Sequence, residues 1–207
     1  MMATRDRLID GAIAAIREHG IAGVSARTIA ATAGVNQALV FYHFGSVDDL
    51  LAEACRSVTA ARVAVYRARL ADVSSLRELL DIGRTLHRQE QAEGNLAVLA
   101  QLLAGAQNDP TLAESTAAAL RIWTVEIESV LHRLLDGSPI APVVDPAGLA
   151  RAVSAAFIGL ELYDGVDPEG ASAAFDALER LAVLVEVIDD LGPLARRAAR
   201  AKLRHLT

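Results

Sequence analysis

Residues that break helices divide this chain more decisively than any other feature in it. Gly20, Gly34, Gly45, Ser74-Ser75, Gly94, Asn108-Asp109-Pro110, the stretch from Asp136 to Pro146, Gly165 to Pro168 and Gly192-Pro193 punctuate it. The intervals between them carry apolar residues at helical spacing. Forty-one of the 207 residues are alanine, and only eight are Phe, Tyr or Trp. Alanine loses no side-chain entropy in a helix, so the fold class reads as all-α, with about ten helices. The expected spans are 4–19, a short helix capped by Ser25 and stopped by Gly34, then 37–44, 46–71, 75–92, 95–107, 110–136, 146–164, 169–191 and 193–205.

Several classes are excluded at this level. With 53% hydrophobic and 22% charged residues the composition is globular. No apolar run approaches the roughly 18 residues of a membrane span, and the start, Met-Met-Ala-Thr-Arg-Asp-Arg, carries no secretory core. A soluble, cytoplasmic, bacterial protein is expected. The single cysteine, Cys55, rules out an intrachain disulfide and a multi-thiolate metal site. Beside Leu51 and Val58 it reads as a small buried hydrophobe rather than a thiol switch. No phosphate-cradling glycine loop, two-histidine spacing or nucleophile with an evident base appears, so no enzyme activity, cofactor or metal is expected.

The net charge of −6 is unevenly spread. Residues 1–47 hold four arginines and three acids, 48–190 hold eleven arginines and 23 acids, and 191–207 hold five basic residues and no acid. The middle segment therefore creates the acidic average, which says little about the N-terminus. The basic tail, Arg196, Arg197, Arg200, Lys202 and Arg204, reads as a solvated helix end or a contact to DNA or to the acidic body.

Residues 25–44 carry the functional signal. Two short helices meet at Ala33-Gly34-Val35-Asn36, the arithmetic of a helix-turn-helix. Ile29, Ala30, Val35 and Val40 are spaced to pack these helices on each other and on the first helix. Asn36 is the capping candidate of the second. Its expected outward face is Gln37, Ala38, Leu39, Tyr42 and His43. Glutamine matches a base edge, alanine and leucine match a thymine methyl, and tyrosine and histidine can bond a phosphate.

The wider string resembles the N-terminal domain of the tetracycline-repressor (TetR) family. It comprises Gly20 to Ala30, Ala33-Gly34-Val35-Asn36-Gln37, Val40-Phe41-Tyr42-His43-Phe44-Gly45-Ser46 and Leu50-Leu51, and the likeness covers about residues 5–55. The resemblance implies that Arg27 reaches the phosphate backbone, that Gln37, Ala38 and Leu39 read bases, and that Tyr42 and His43 grip flanking phosphates. Asn36 completes the candidate DNA-binding set. Two positions depart from the family pattern: Phe41 stands for a tyrosine and Val47 for a lysine, each removing a backbone contact. A shallow salt dependence follows from so few cations.

The resulting expectation is a DNA-binding domain over 1–46 and a ligand-binding and dimerisation domain over 47–207. The protein would regulate transcription, as a ligand-responsive repressor acting as a homodimer on a palindromic operator. Its partners would be double-stranded DNA, a second copy and an unidentified small-molecule effector. Tyr66, His87, Gln101 and Trp123 are candidates to line the effector pocket, with ordinary packing as the alternative for each. Two apolar faces on the last long helices nominate Leu149, Val153, Phe157, Leu160, Leu181, Leu184 and Ile188 for the dimer interface. The rival readings are a protein-interaction module with a degenerate helix-turn-helix and a helical enzyme acting on a small apolar substrate.

Overall fold

The computed structural model describes residues 3–92 and 95–203, without the side chains of 95–97, 189, 199 and 200. Gly94 and Arg204, read above as a break and as part of the tail, lie outside the described residues, and the side chain of Arg200 is likewise not described. Ten α-helices form among the described residues: α1 (Thr4–His19), α2 (Ala26–Ala33), α3 (Ala38–Phe44), α4 (Val47–Asp72), α5 (Leu76–Ala92), α6 (Asn95–Ala106), α7 (Pro110–Leu135), α8 (Pro146–Asp164), α9 (Pro168–Asp189) and α10 (Pro193–Leu203). Their ends fall within two residues of the expected ones. Two single 3-10 turns, Ile21–Gly23 and Ala141–Val143, were not foreseen, because three residues are too few to show a period. No described helix is long and apolar enough to cross a membrane.

The chain divides into two compact units. The first comprises residues 1–62 and 90–122, the second 63–89 and 123–207. In the first, Leu8, Ile9, Ala12, Ile13 and Ile16 of α1 meet Ile29 and Ala30 of α2, Val40 of α3 and Leu50, Leu51 and Ala54 of α4. Val98 and Leu102 of α6 and Leu112 of α7 join the same core. The unit that holds the helix-turn-helix therefore extends past residue 46, because α4 and α6 supply part of its interior. Cys55 is buried in that core, and burial pushes its thiol pKa up, partly countered by the Thr59 hydroxyl. This is the environment of an unreactive thiol.

In the second unit Tyr66, Leu70 and Val73 pack with Leu79, Ile82 and Leu86 of α5 and Val130, Leu131 and Leu135 of α7. Arg133 donates to the carbonyls of Leu70 (2.8 Å) and Val73 (3.3 Å), closing the end of α4. Asp145 and Asp167 cap α8 and α9, each followed by proline at the first helical position. The arginines of α5 pair with α9, Arg77 with Glu186 (2.7 Å) and Arg84 with Asp176 (2.5 Å) and Glu179 (2.9 Å).

Within one copy, α8 and α9 each keep an exposed row of small or apolar residues. Leu149 and Phe157 are half-buried and pack on the second core. Val153 and Leu160 are also half-buried. The outward row on α8 is instead Ala152, Ala155, Ala156 and Gly159, running on to Leu162 and Tyr163. On α9, Phe175 and Ala182 turn in, Ile188 is half-buried, and Leu181, Leu184 and Val187 remain exposed, as does Leu191 just beyond its end. A helix whose inward stripe is already satisfied has no internal use for a second apolar row.

Candidate nucleic-acid interface

The interface is built on a turn held from three sides. Ser25 caps α2 with a reciprocal box: Thr28 N–H donates to Ser25 Oγ (3.2 Å), and Ser25 N–H donates to Thr28 Oγ1 (2.8 Å). Gly34 ends α2 in the left-handed region, with φ of 63°. Its N–H reaches Ala31 O (3.1 Å), and the N–H of Val35 reaches Ala30 O (2.9 Å). Val35 then tucks against the core. From α1, Arg7 Nη2 donates to the carbonyls of Ala33 (2.7 Å) and Gly34 (2.8 Å). These carbonyls have no partner within α2, so a cation at the helix C-terminus satisfies them and opposes the dipole. Arg7 is a structural residue of the turn that the sequence reading missed. Its only sequence signal is a basic residue directly before Leu8 on a helix that packs against α2.

Gly11 sets how closely α1 and α2 approach. A Cβ placed there would lie 2.8 Å from Ala33 Cβ and 3.1 Å from the Ile29 carbonyl oxygen. No other residue fits that crossing undisturbed. Beyond the turn, Asn36 Oδ1 accepts from Ala38 N–H at 2.8 Å and starts α3. Gly45 closes α3 at φ 84°, and Ser46 Oγ caps α4 by accepting from Asp49 N–H (3.0 Å).

This scaffold fixes what α3 presents. Its successive residues turn by about 100°, so 37, 38, 41 and 42 share one side and 39, 40, 43 and 44 share the other. Gln37, Ala38, Phe41 and Tyr42 are exposed, Tyr42 at 81%. Val40 is buried, and Leu39 and Phe44 pack on the core. Leu39, expected outward, is thus half-buried, and Phe41 takes a place on the outward side. His43 is half-buried, edge-on to Tyr42 with ring centroids 5.0 Å apart. Asn36 is exposed beside this face, and Arg27 is exposed on α2. Residues 19–47 contain no Asp or Glu at all, in a chain with 26 acids. The outward side of α3 is therefore short of cations and carries no carboxylate of its own, with Asp48 and Asp49 following directly at the start of α4.

The pocket candidates separate. Gln101, on α6 in the first unit, accepts from Ile21 N–H at 3.3 Å and steadies the 3-10 turn after α1. The other three belong to the second unit. Tyr66 and Trp123 lie with ring centroids 6.2 Å apart, and the Tyr66 hydroxyl bonds Gln89. His87, also of that unit, is buried against Phe175 (5.3 Å), with Nδ1 2.8 Å from a Glu161 oxygen and Nε2 3.6 Å from an Asp164 oxygen. One carboxylate thus faces each nitrogen of the buried ring. No set of three His, Cys, Asp or Glu side chains among the described residues is arranged to hold a metal ion.

Comparison with known proteins agrees with this geometry. The family model described as bacterial regulatory proteins, tetR family, matches residues 8–54. An uncharacterized HTH-type transcriptional regulator of Mycobacterium tuberculosis is 27% identical over 163 residues, 79% of this chain and 83% of its own. A Rhodococcus sp. structure assigned to the TetR-family regulators is 25% identical with a TM-score of 0.70, covering 90% of this chain and 98% of that one. The multidrug binding protein EbrR, solved with proflavin, is 28% identical with a TM-score of 0.60, covering 86% of this chain and 99% of its own. These relatives are regulators or ligand-binding proteins.

Proposed function

Because the chain belongs to the TetR family of bacterial transcriptional regulators, we propose that it is a ligand-responsive repressor acting as a homodimer on a palindromic operator in the cytoplasm. The observation that carries this reading is the acid-free outward face of α3, with Asn36, Gln37, Ala38 and Tyr42 exposed together on a helix pinned at both ends. Gln37 precedes the first turn of α3, where a recognition helix meets base edges. Tyr42 and Arg27 supply contacts to phosphate, which position the protein without reading sequence. Residues 1–46 carry the DNA contacts, and the rest of the chain serves ligand binding and dimerisation.

Two copies are needed because one such helix covers only a few base pairs. The exposed row of α9, Leu181, Leu184 and Val187, with Leu191 just beyond it, packs against its symmetry mate, and the small residues of α8 let the helices approach closely. The EbrR relative, with its bound proflavin, supports a small-molecule effector. Tyr66 and Trp123, with ring centroids 6.2 Å apart in the second unit, are the proposed residues to meet one. An effector acts only by favouring one of two states, and the seat of α6 on α1 and its following turn, held by Gln101, is the joint it would bias.

The test starts with duplexes enriched from a random pool by the full chain. Against the enriched sequence, Gln37→Ala loses roughly 1–3 kcal/mol of discrimination at one position per half-site, measured by binding to each single-base variant. Tyr42→Phe weakens all variants alike. Equal losses across all bases for Gln37→Ala would contradict the assignment.

A further inference from the structure

In the first unit, the large hydrophobic side chains left exposed among the described residues are Phe41 and Tyr42, adjacent on α3. Tyr42 ends in a hydroxyl that water or a phosphate oxygen satisfies. Phe41 has no polar atom, is 50% exposed, and stands apart from the core that takes Leu39, Val40 and Phe44. A single exposed ring needs no explanation on most surfaces. This one occupies the side of α3 that carries Gln37 and Ala38, four and three residues before it, and so lies in line with them.

The DNA major groove offers one apolar feature to such a ring, the 5-methyl group of thymine. A phosphate has nothing for phenylalanine. We infer that Phe41 is a specificity residue that packs its ring on a thymine methyl in each half-site. Four residues of helix advance about 6 Å, and base pairs are stacked about 3.4 Å apart. The thymine therefore lies one or two base pairs from the base edge that Gln37 contacts. The inference rests on α3 being the recognition helix. It gives Phe41 the methyl-reading task for which Leu39, packed on the core, is not available.

The experiment uses the enriched duplex and copies carrying deoxyuridine at each thymine in turn, which deletes one methyl group at a time. Binding of the full chain is measured by fluorescence anisotropy at fixed salt. One position per half-site should weaken wild-type binding roughly three- to fivefold, the weight of one buried methyl. Phe41→Ala should bind the parent duplex more weakly and lose nothing further at that position. Phe41→Leu, which keeps an apolar contact, should retain part of the loss. Both variants should melt with the wild type, since the ring is outside the core.

Wild-type indifference to every missing methyl would overturn the inference while leaving operator binding intact. So would a methyl effect that persists undiminished in Phe41→Ala. A variant that binds all duplexes normally but changes the sedimentation of the free chain would show that the ring covers protein instead. Failure of the pool to yield any enriched sequence would remove the DNA-binding reading itself, and Phe41 with it.

Discussion

Replacing Gly11 with valine should unseat α1 from α2 and abolish DNA binding. The new Cβ would sit 2.8 Å from Ala33 Cβ and 3.1 Å from the Ile29 carbonyl oxygen, and valine adds two further carbons there. Ala33 is on the last turn of α2, next to the Gly34 and Arg7 contacts that shape the turn. Overpacking of this kind costs about 3 kcal/mol. Removing a mid-helix glycine returns only about 0.5–1 kcal/mol, so the clash wins. Gly83 is the control. A Cβ there meets nothing within 4 Å, so Gly83→Ala should stabilise by about 0.5–1 kcal/mol. Urea midpoints followed by circular dichroism read both changes. Equal behaviour of the two variants would mean that the α1–α2 crossing is not close.

Leu184→Arg should leave the subunit folded and cost operator affinity at least about a hundredfold. Leu184 is 58% exposed, so a charge there disturbs little within one copy. In the proposed dimer the same position lies in the apolar seam, where an unpaired guanidinium would lose its water. Breaking the seam turns a two-site contact into two separate half-site contacts, and linkage of two sites is worth about 10²–10⁴. Sedimentation should show a monomer with wild-type helicity. A variant that still sediments as a dimer, with operator affinity intact, would place the interface elsewhere.

What could be read from the sequence followed from how each signal is encoded. Helix boundaries were legible because Gly20, Gly34, Gly45 and the proline-led starts at Pro146, Pro168 and Pro193 state them locally. The inward stripe of α1 was legible because five residues repeat it. The outward face of α3 was only partly so. Seven residues make fewer than two turns, and the apolar Leu39 and Phe41 look interchangeable until the turn fixes the helix rotation. The same ambiguity holds for α8, an alanine-rich helix with small residues on one side and large ones such as Leu149 and Phe157 on the other. Either side can be read as the interface from composition alone. The Arg7 contacts to Ala33 and Gly34 join residues 26 and 27 positions apart, and no local pattern announces them.

In the proposed reading, two copies of this chain recognise one DNA sequence together. The most direct measurement titrates the full chain against its enriched duplex and a scrambled duplex of equal composition, at near-physiological salt, with stoichiometry followed by sedimentation. Two chains should occupy each enriched duplex, and the enriched sequence should be bound at least about a thousandfold more tightly than the scrambled one. Equal affinity for the two duplexes, or specific binding by a single chain, would contradict it.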